Sequence, residues 1–312
     1  MKFIALNFFL LLLSFANAQI PEYYVYLVKG DIKIAHPKAK IVPLKQNSLV
    51  FKEDEFIVTK NSEVTLVNRD AKYIVINKQG KIKINDLGKS IHNSYTGVTE
   101  KYLKLLWHEL LDPNYDYSKF KLQNIAGVYG GVSRGEENCE NVIFPISGLK
   151  TSFDSLHFFW KKIDSINTYH MVIYDATGEK IFNKAVSDTQ LIISLSKEGL
   201  IKNGKYVLSI KEPLSGCEEG TAHVFEILSK EQEQKIINGY KEPTSIDLLT
   251  QLQLIDKMEK NKLIYAAMAK YSSLIKLYPD NTLKKTYYDF LSHYGFITKA
   301  EDVFKSISIK KL

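Results

Sequence analysis

The sequence has only two cysteines in 312 residues, which leaves room for a single disulfide, and two thiols alone build no zinc site. The sequence also lacks G-x-S-x-G, H-E-x-x-H, a Walker loop and the kinase motif set, so no familiar hydrolytic, metalloprotease or phosphoryl-transfer chemistry is signalled. No arginine cluster marks a nucleic-acid footprint. The net charge of +7, from 42 Lys+Arg against 35 Asp+Glu, is spread over scattered lysines, which suits a solvated surface with some attraction for anionic envelope polymers or lipid. Beyond the first residues, no apolar run reaches the roughly 20 residues needed to cross a bilayer.

What is there begins with "MKFIALNFFLLLLSFANAQ": a charge at Lys2, an apolar run from Phe3 to about Ala16, and the small-residue pattern Ala16-Asn17-Ala18. This reads as a secretory signal, residues 1–18, cleaved between Ala18 and Gln19. No cysteine follows the small residues, so a lipid anchor is not expected. The mature chain is expected to be exported and not membrane-spanning, with the periplasm favoured and secretion or the outer surface left open.

Three composition regimes follow, predicting a multidomain, mainly β chain with α. From residue 19 to 96 apolar and polar residues alternate, as in Val64, Leu66 and then Tyr73, Val75, while Gly30, Asn61, Asp70 and Gly80 mark turns. The expectation is a small β-roll or half-open barrel. The stretch "VKGDIKI…VPLKQNSLVFKEDEFIVTKNSEVTLVNRDAKYIVINKQGKIKI" resembles the FecR-like periplasmic β domain in its apolar spacing and turns, and departs from it at Ala71, where a turn glycine is common. The resemblance covers about a fifth of the chain and implies a structural or signalling module without catalytic residues.

Residues 97–138 read as one amphipathic helix and a glycine-rich linker. Thr99 is the expected N-cap and Asp112-Pro113 the stop. His108, beside Trp107 on that helix, reads as a packing or surface residue rather than a general base. In "GVYGGVSRGEENC" a phosphate loop would need a strand before it and a helix after it, but a strand follows. Gly127, Gly130, Gly131 and Gly135 therefore read as hinge or close-packing positions. The acid pairs Glu136-Glu137 and Glu218-Glu219 lack the spacing of a calcium loop and read as solvated charge.

From 139 to 228 seven short strands with regular turn signals predict a seven-stranded immunoglobulin-like β-sandwich. "FFW…YHMVIYDATGEKIF…LIKNGKYVLSI" resembles a fibronectin type III module. On that resemblance Trp160 is the core tryptophan of the second strand, and Leu200, Gly204 and Tyr206 suit a tyrosine corner. His157 and His170, on adjacent predicted strands, are expected as cross-strand neighbours on a polar outer face. In such a sandwich the approach to the first strand and the loop between the last two strands share one end, which implies a Cys139–Cys217 disulfide.

From 229 to 312 the pattern turns helical. Ala267, Tyr271 and Pro279, then Ala300 and Phe304, fall at small, aromatic and helix-ending positions resembling a degenerate tetratricopeptide repeat. Two helical hairpins are fewer than stand alone, so they must pack on the sandwich, on each other or on a partner. Tyr287, Tyr288 and Tyr294 are the candidate exposed contacts for a protein partner, with packing between helices as their alternative. The combined expectation is a non-enzymatic envelope scaffold, without cofactor or metal, that binds a protein. Binding of glycan or anionic polymer through Lys81 and Lys83 is the alternative, and an unrecognised hydrolase the third.

Overall fold

A computed structural model describes residues 20–37, 39–88, 93–111, 142–162, 167–200, 204–211, 223–238 and 247–307. The signal cleavage site at Ala18 and Gln19, the glycine-rich linker with its acid pair, and both Cys139 and Cys217 with Glu218-Glu219 lie outside these residues. The chain forms two compact units, Met1–Tyr95 and Thr96–Leu312. Four β-sheets and seven helices are found among the described residues, and no described helix is long and apolar enough to cross a membrane.

In the first unit, β1 (Tyr23–Lys29), β4 (Leu49–Val50), β6 (Glu63–Val67), β7 (Lys72–Ile76) and β9 (Asn93–Ser94) form a sheet in the order β4-β1-β6-β7-β9. A second sheet has the order β3-β2-β5-β8, from β3 (Val42–Pro43), β2 (Ile32–Ala35), β5 (Glu55–Val58) and β8 (Gly80–Lys83). All pairings are antiparallel. The alternation of the sequence works as expected here: Ile32, Ile34, Phe56, Val58, Val64 and Leu66 share one core with Ile84 and Leu87 of the short helix α1 (Ile84–Leu87). Among the described residues both sheets keep open edges and close no barrel. Asn61 and Ala71 take left-handed backbone, φ 61° and 58°, the second where the resembled pattern carries glycine.

Inside the core rim, the buried Asp54 binds the Phe51 N–H (2.8 Å) and the His36 Nδ1 (2.7 Å). These two contacts satisfy a carboxylate that burial alone would penalise.

The second unit contains eight described strands in place of the seven expected. A three-stranded antiparallel sheet has the order β10-β12-β15, from β10 (Val142–Phe144), β12 (Ser155–Trp160) and β15 (Gln190–Ser194). A five-stranded sheet has the order β11-β17-β16-β13-β14, from β11 (Leu149–Thr151), β17 (His223–Ile227), β16 (Gly204–Lys211), β13 (Tyr169–Asp175) and β14 (Lys180–Val186). The additional strand arises because Pro145, which has no N–H to donate, ends β10, and the chain resumes four residues later as β11 in the other sheet. There β11 runs parallel to β17, while the remaining pairs are antiparallel. Rings join the two sheets: Phe158 meets Phe225 edge-on at 6.3 Å and Trp160 meets Tyr169 at 5.6 Å, so Trp160 faces inward as expected.

Six described helices belong to this unit: α2 (Gly97–Leu111), α3 (Lys230–Asn238), α4 (Leu248–Lys260), α5 (Ile264–Leu277), α6 (Asn281–His293) and α7 (Ile297–Lys305). Asp247 accepts the Thr250 N–H, and Asp280 accepts those of Thr282 and Leu283, which caps α4 and α6. Thr99 is not the cap of α2 but a buried residue of its first turn. Consecutive helices pack, α4 on α5 and α6 on α7, and α2 packs on both α4 and α6. The helix expected to belong to a linker is therefore part of the C-terminal helical layer.

Candidate functional site

The helical layer is seated on the outer face of the three-stranded sheet. Strand β10 stops at Phe144, opposite Phe159, which leaves the edge of β12 open beyond it. There the His157 N–H donates to the Tyr265 hydroxyl of α5 at 2.8 Å. Phe296, in the turn between α6 and α7, meets Phe144 (4.9 Å), Phe159 (5.4 Å), His157 (5.9 Å) and Tyr265 (6.0 Å) ring to ring. Next to it Gly295 has φ 78°, and a Cβ there would stand 2.6 Å from Ile143 Cγ2 of β10. Glycine is needed at this turn for its backbone and for the close approach. Two backbone-level links add to the seam: Lys150 N–H donates to Lys262 O at 3.0 Å, and Ser152 N–H to Glu233 Oε2 at 3.0 Å.

Behind the seam, α2 is tied down by polar contacts across more than 170 residues of sequence. The Tyr102 hydroxyl donates to Asp280 (3.1 Å), and Glu109 accepts from both Thr282 (2.9 Å) and Lys285 (2.5 Å). Gly97 lies so close to Asp256 that a Cβ would sit 1.7 Å from its carboxylate. Between these helices lies a partly buried carboxyl, Glu259. Desolvation pushes it up to about 7, with Lys101 opposing and Asp256 reinforcing the shift. The phenols of Tyr271 and Tyr294 are raised by burial first, and by the Glu259 charge.

No family model matches the chain, and no curated protein does. The reading of the site therefore rests on its geometry. Tyr287, Tyr288 and Tyr294 are 4%, 1% and 8% exposed, which corrects the expectation of an exposed contact surface. Tyr287 stacks on Tyr271 at 4.9 Å, Tyr294 meets Phe290 at 4.9 Å, and Tyr288 meets Phe304 at 5.5 Å. Their amphipathic rings are used to fill the space between helices, as the alternative reading had it.

The two sandwich histidines are also apart. His157 is on β12 and His170 on β13, strands of different sheets, so they are not cross-strand neighbours. His170 is exposed, whereas His157 is half-buried under the helices. His108 lies exposed on α2. Lys81 and Lys83 are exposed on the outer face of the edge strand β8. Among the described residues, no group of three or more His, Cys, Asp and Glu is placed to hold a metal ion.

Tyr265, Phe296 and Glu259 were not singled out by sequence. The available signal was the run "SLHFFW", in which Leu156, Phe158 and Trp160 supply one apolar face while Phe159 lies on the other. A strand that is apolar on both sides is one covered on both sides.

Proposed function

We propose that this chain is a non-enzymatic exported envelope protein, in which β modules support a docked helical layer that receives a protein partner. The observation that carries the reading is the docking itself: helices and sheets form one unit through the Tyr265–Phe296 seam. In this region His157, Tyr265, Tyr287 and Tyr294 are engaged in ring-to-ring packing.

The finer modules belong to the same proposal. A FecR-like first unit is supported by its two antiparallel sheets and by the left-handed Ala71 at the resembled turn. An immunoglobulin or fibronectin III-like sandwich is supported by the split first strand, by the order β10-β12-β15 facing β17-β16-β13-β14, and by Tyr206 lying over Gly204. Tetratricopeptide-like hairpins are supported by the consecutive pairing of α4 with α5 and α6 with α7. The signal peptide, the periplasmic address and the Cys139–Cys217 disulfide rest on the sequence alone.

Binding of an anionic glycan is a second reading, favoured by one register row on the outer face of the first unit, where Lys33 pairs with Ile57 and Ile57 with Lys81. Site-specific photo-crosslinking in the envelope separates the two. A crosslinker at the exposed Leu277 of α5 (65% exposed) or at Phe153 (39% exposed) should capture a defined protein. Capture only of polymer, and only from positions 33 and 81, would replace the first reading by the second. Truncation after Leu228 is unsuitable as a test, because it would uncover Phe144, His157 and Phe159 and create an artificial adhesive face.

A further inference from the structure

We infer that His157 is a proton-sensitive latch: its neutral imidazole holds the helical layer on the three-stranded sheet, and its imidazolium loosens it. The geometry carries this. The ring is packed among Phe159 (5.9 Å), Phe296 (5.9 Å) and Tyr265 (6.2 Å), while its own amide donates the hydrogen bond to the Tyr265 hydroxyl. A residue of the sheet thus meets the helices through both its backbone amide and its side chain.

Among the described residues, the groups that face the ring offer an added positive charge no anion. From α5 the facing group is Tyr265, a phenol that burial keeps protonated and uncharged. From the turn before α7 it is Phe296, and from α7 it is Lys299, a cation. From β15 the residue opposite is Ile192, and from β10 the aromatic neighbour in the seam is Phe144. Burial and then Lys299 both lower the His157 pKa from the usual 6.5. The sign follows: the unfolded or undocked chain takes the proton first as pH falls, so the docked state loses stability as pH drops through 6.5. Glu259, in the same helical layer but away from the seam, has the opposite sign, so the two are separable.

The test uses the full mature chain. Titration of the His157 ring by NMR should give a midpoint below 6.5, and a midpoint at or above 6.5 would overturn the inference. Hydrogen exchange, corrected for intrinsic rate, should show α5 and α7 losing protection between about pH 7.5 and about pH 5.5. In His157→Phe, which keeps an aromatic ring in the seam, that loss should shrink to what His293 of α6 contributes, an imidazole lowered by burial and then by Lys101 and Lys262. In Glu259→Gln it should grow, because the opposing titration is gone. An acid loss of the same size in His157→Phe would contradict the latch. Should that variant not fold, the ring titration alone decides.

Discussion

The β strands of the first unit and those of the three-stranded sheet in the second face different surroundings, and that difference explains where sequence patterns are readable. On β2, Ile32 and Ile34 are buried while Lys33 is exposed, so the strand writes its environment as alternation. On β12 the inner face is Leu156, Phe158 and Trp160, yet the outer face holds His157 and Phe159, covered by Tyr265 and Phe296 from more than 100 residues downstream. Alternation reports whether a face is wet. It does not report which distant element keeps it dry.

Four tests sharpen or break this contrast, beginning with the largest effect. Phe296→Ala removes the ring at the centre of the seam and should cost about 3–5 kcal/mol in chemical denaturation of the second unit. A loss below about 1 kcal/mol would mean that the helices are not seated through this turn. Glu109→Ala should cost about 1.5–3 kcal/mol, because one carboxylate serves both Thr282 and Lys285. Its effect should concentrate in the exchange protection of α2. An exchange map in which α2 is unchanged would break the assignment of that helix to the C-terminal layer.

The third is a pH effect. The Glu259 carboxyl stands at about 7 in the folded chain against 4.5 when unperturbed, so the folded state takes its proton first on acidification. Its contribution is fully present below pH 4.5 and is lost as pH rises through about 7. Glu259→Gln should therefore be more stable than wild type at about pH 8, with a flatter stability profile between 7 and 4.5. Melting temperatures across that range read this directly, and parallel profiles would contradict it. The smallest effect belongs to the wet face: Lys33→Ala or Lys81→Ala should stay within about 0.5 kcal/mol of wild type.

These contrasts also say what was legible before the structure. The mainly β character with C-terminal helices followed from local periodicity, and Trp160 facing inward followed from its neighbours Leu156 and Phe158. The additional strand β11 was not legible, because three residues after a Gly148 turn carry too little pattern to separate from a loop. The membership of α2 in the helical layer was hidden for another reason: its partners Asp280, Thr282 and Lys285 lie at the far end of the chain. The tyrosines were misplaced because a tyrosine suits an interface and a helix-helix core equally well, and only packing separates the two.

The central claim is that the helical layer closes the open edge of β12 through Tyr265. The exchange rate of the His157 amide tests it most directly, measured at neutral pH in the wild-type chain and in Tyr265→Phe. The predicted result is a protected amide in wild type that exchanges about tenfold faster once the hydroxyl acceptor is removed, the equivalent of one lost hydrogen bond. A wild-type His157 amide exchanging at the rate of an open chain, or one equally protected without the hydroxyl, would contradict it.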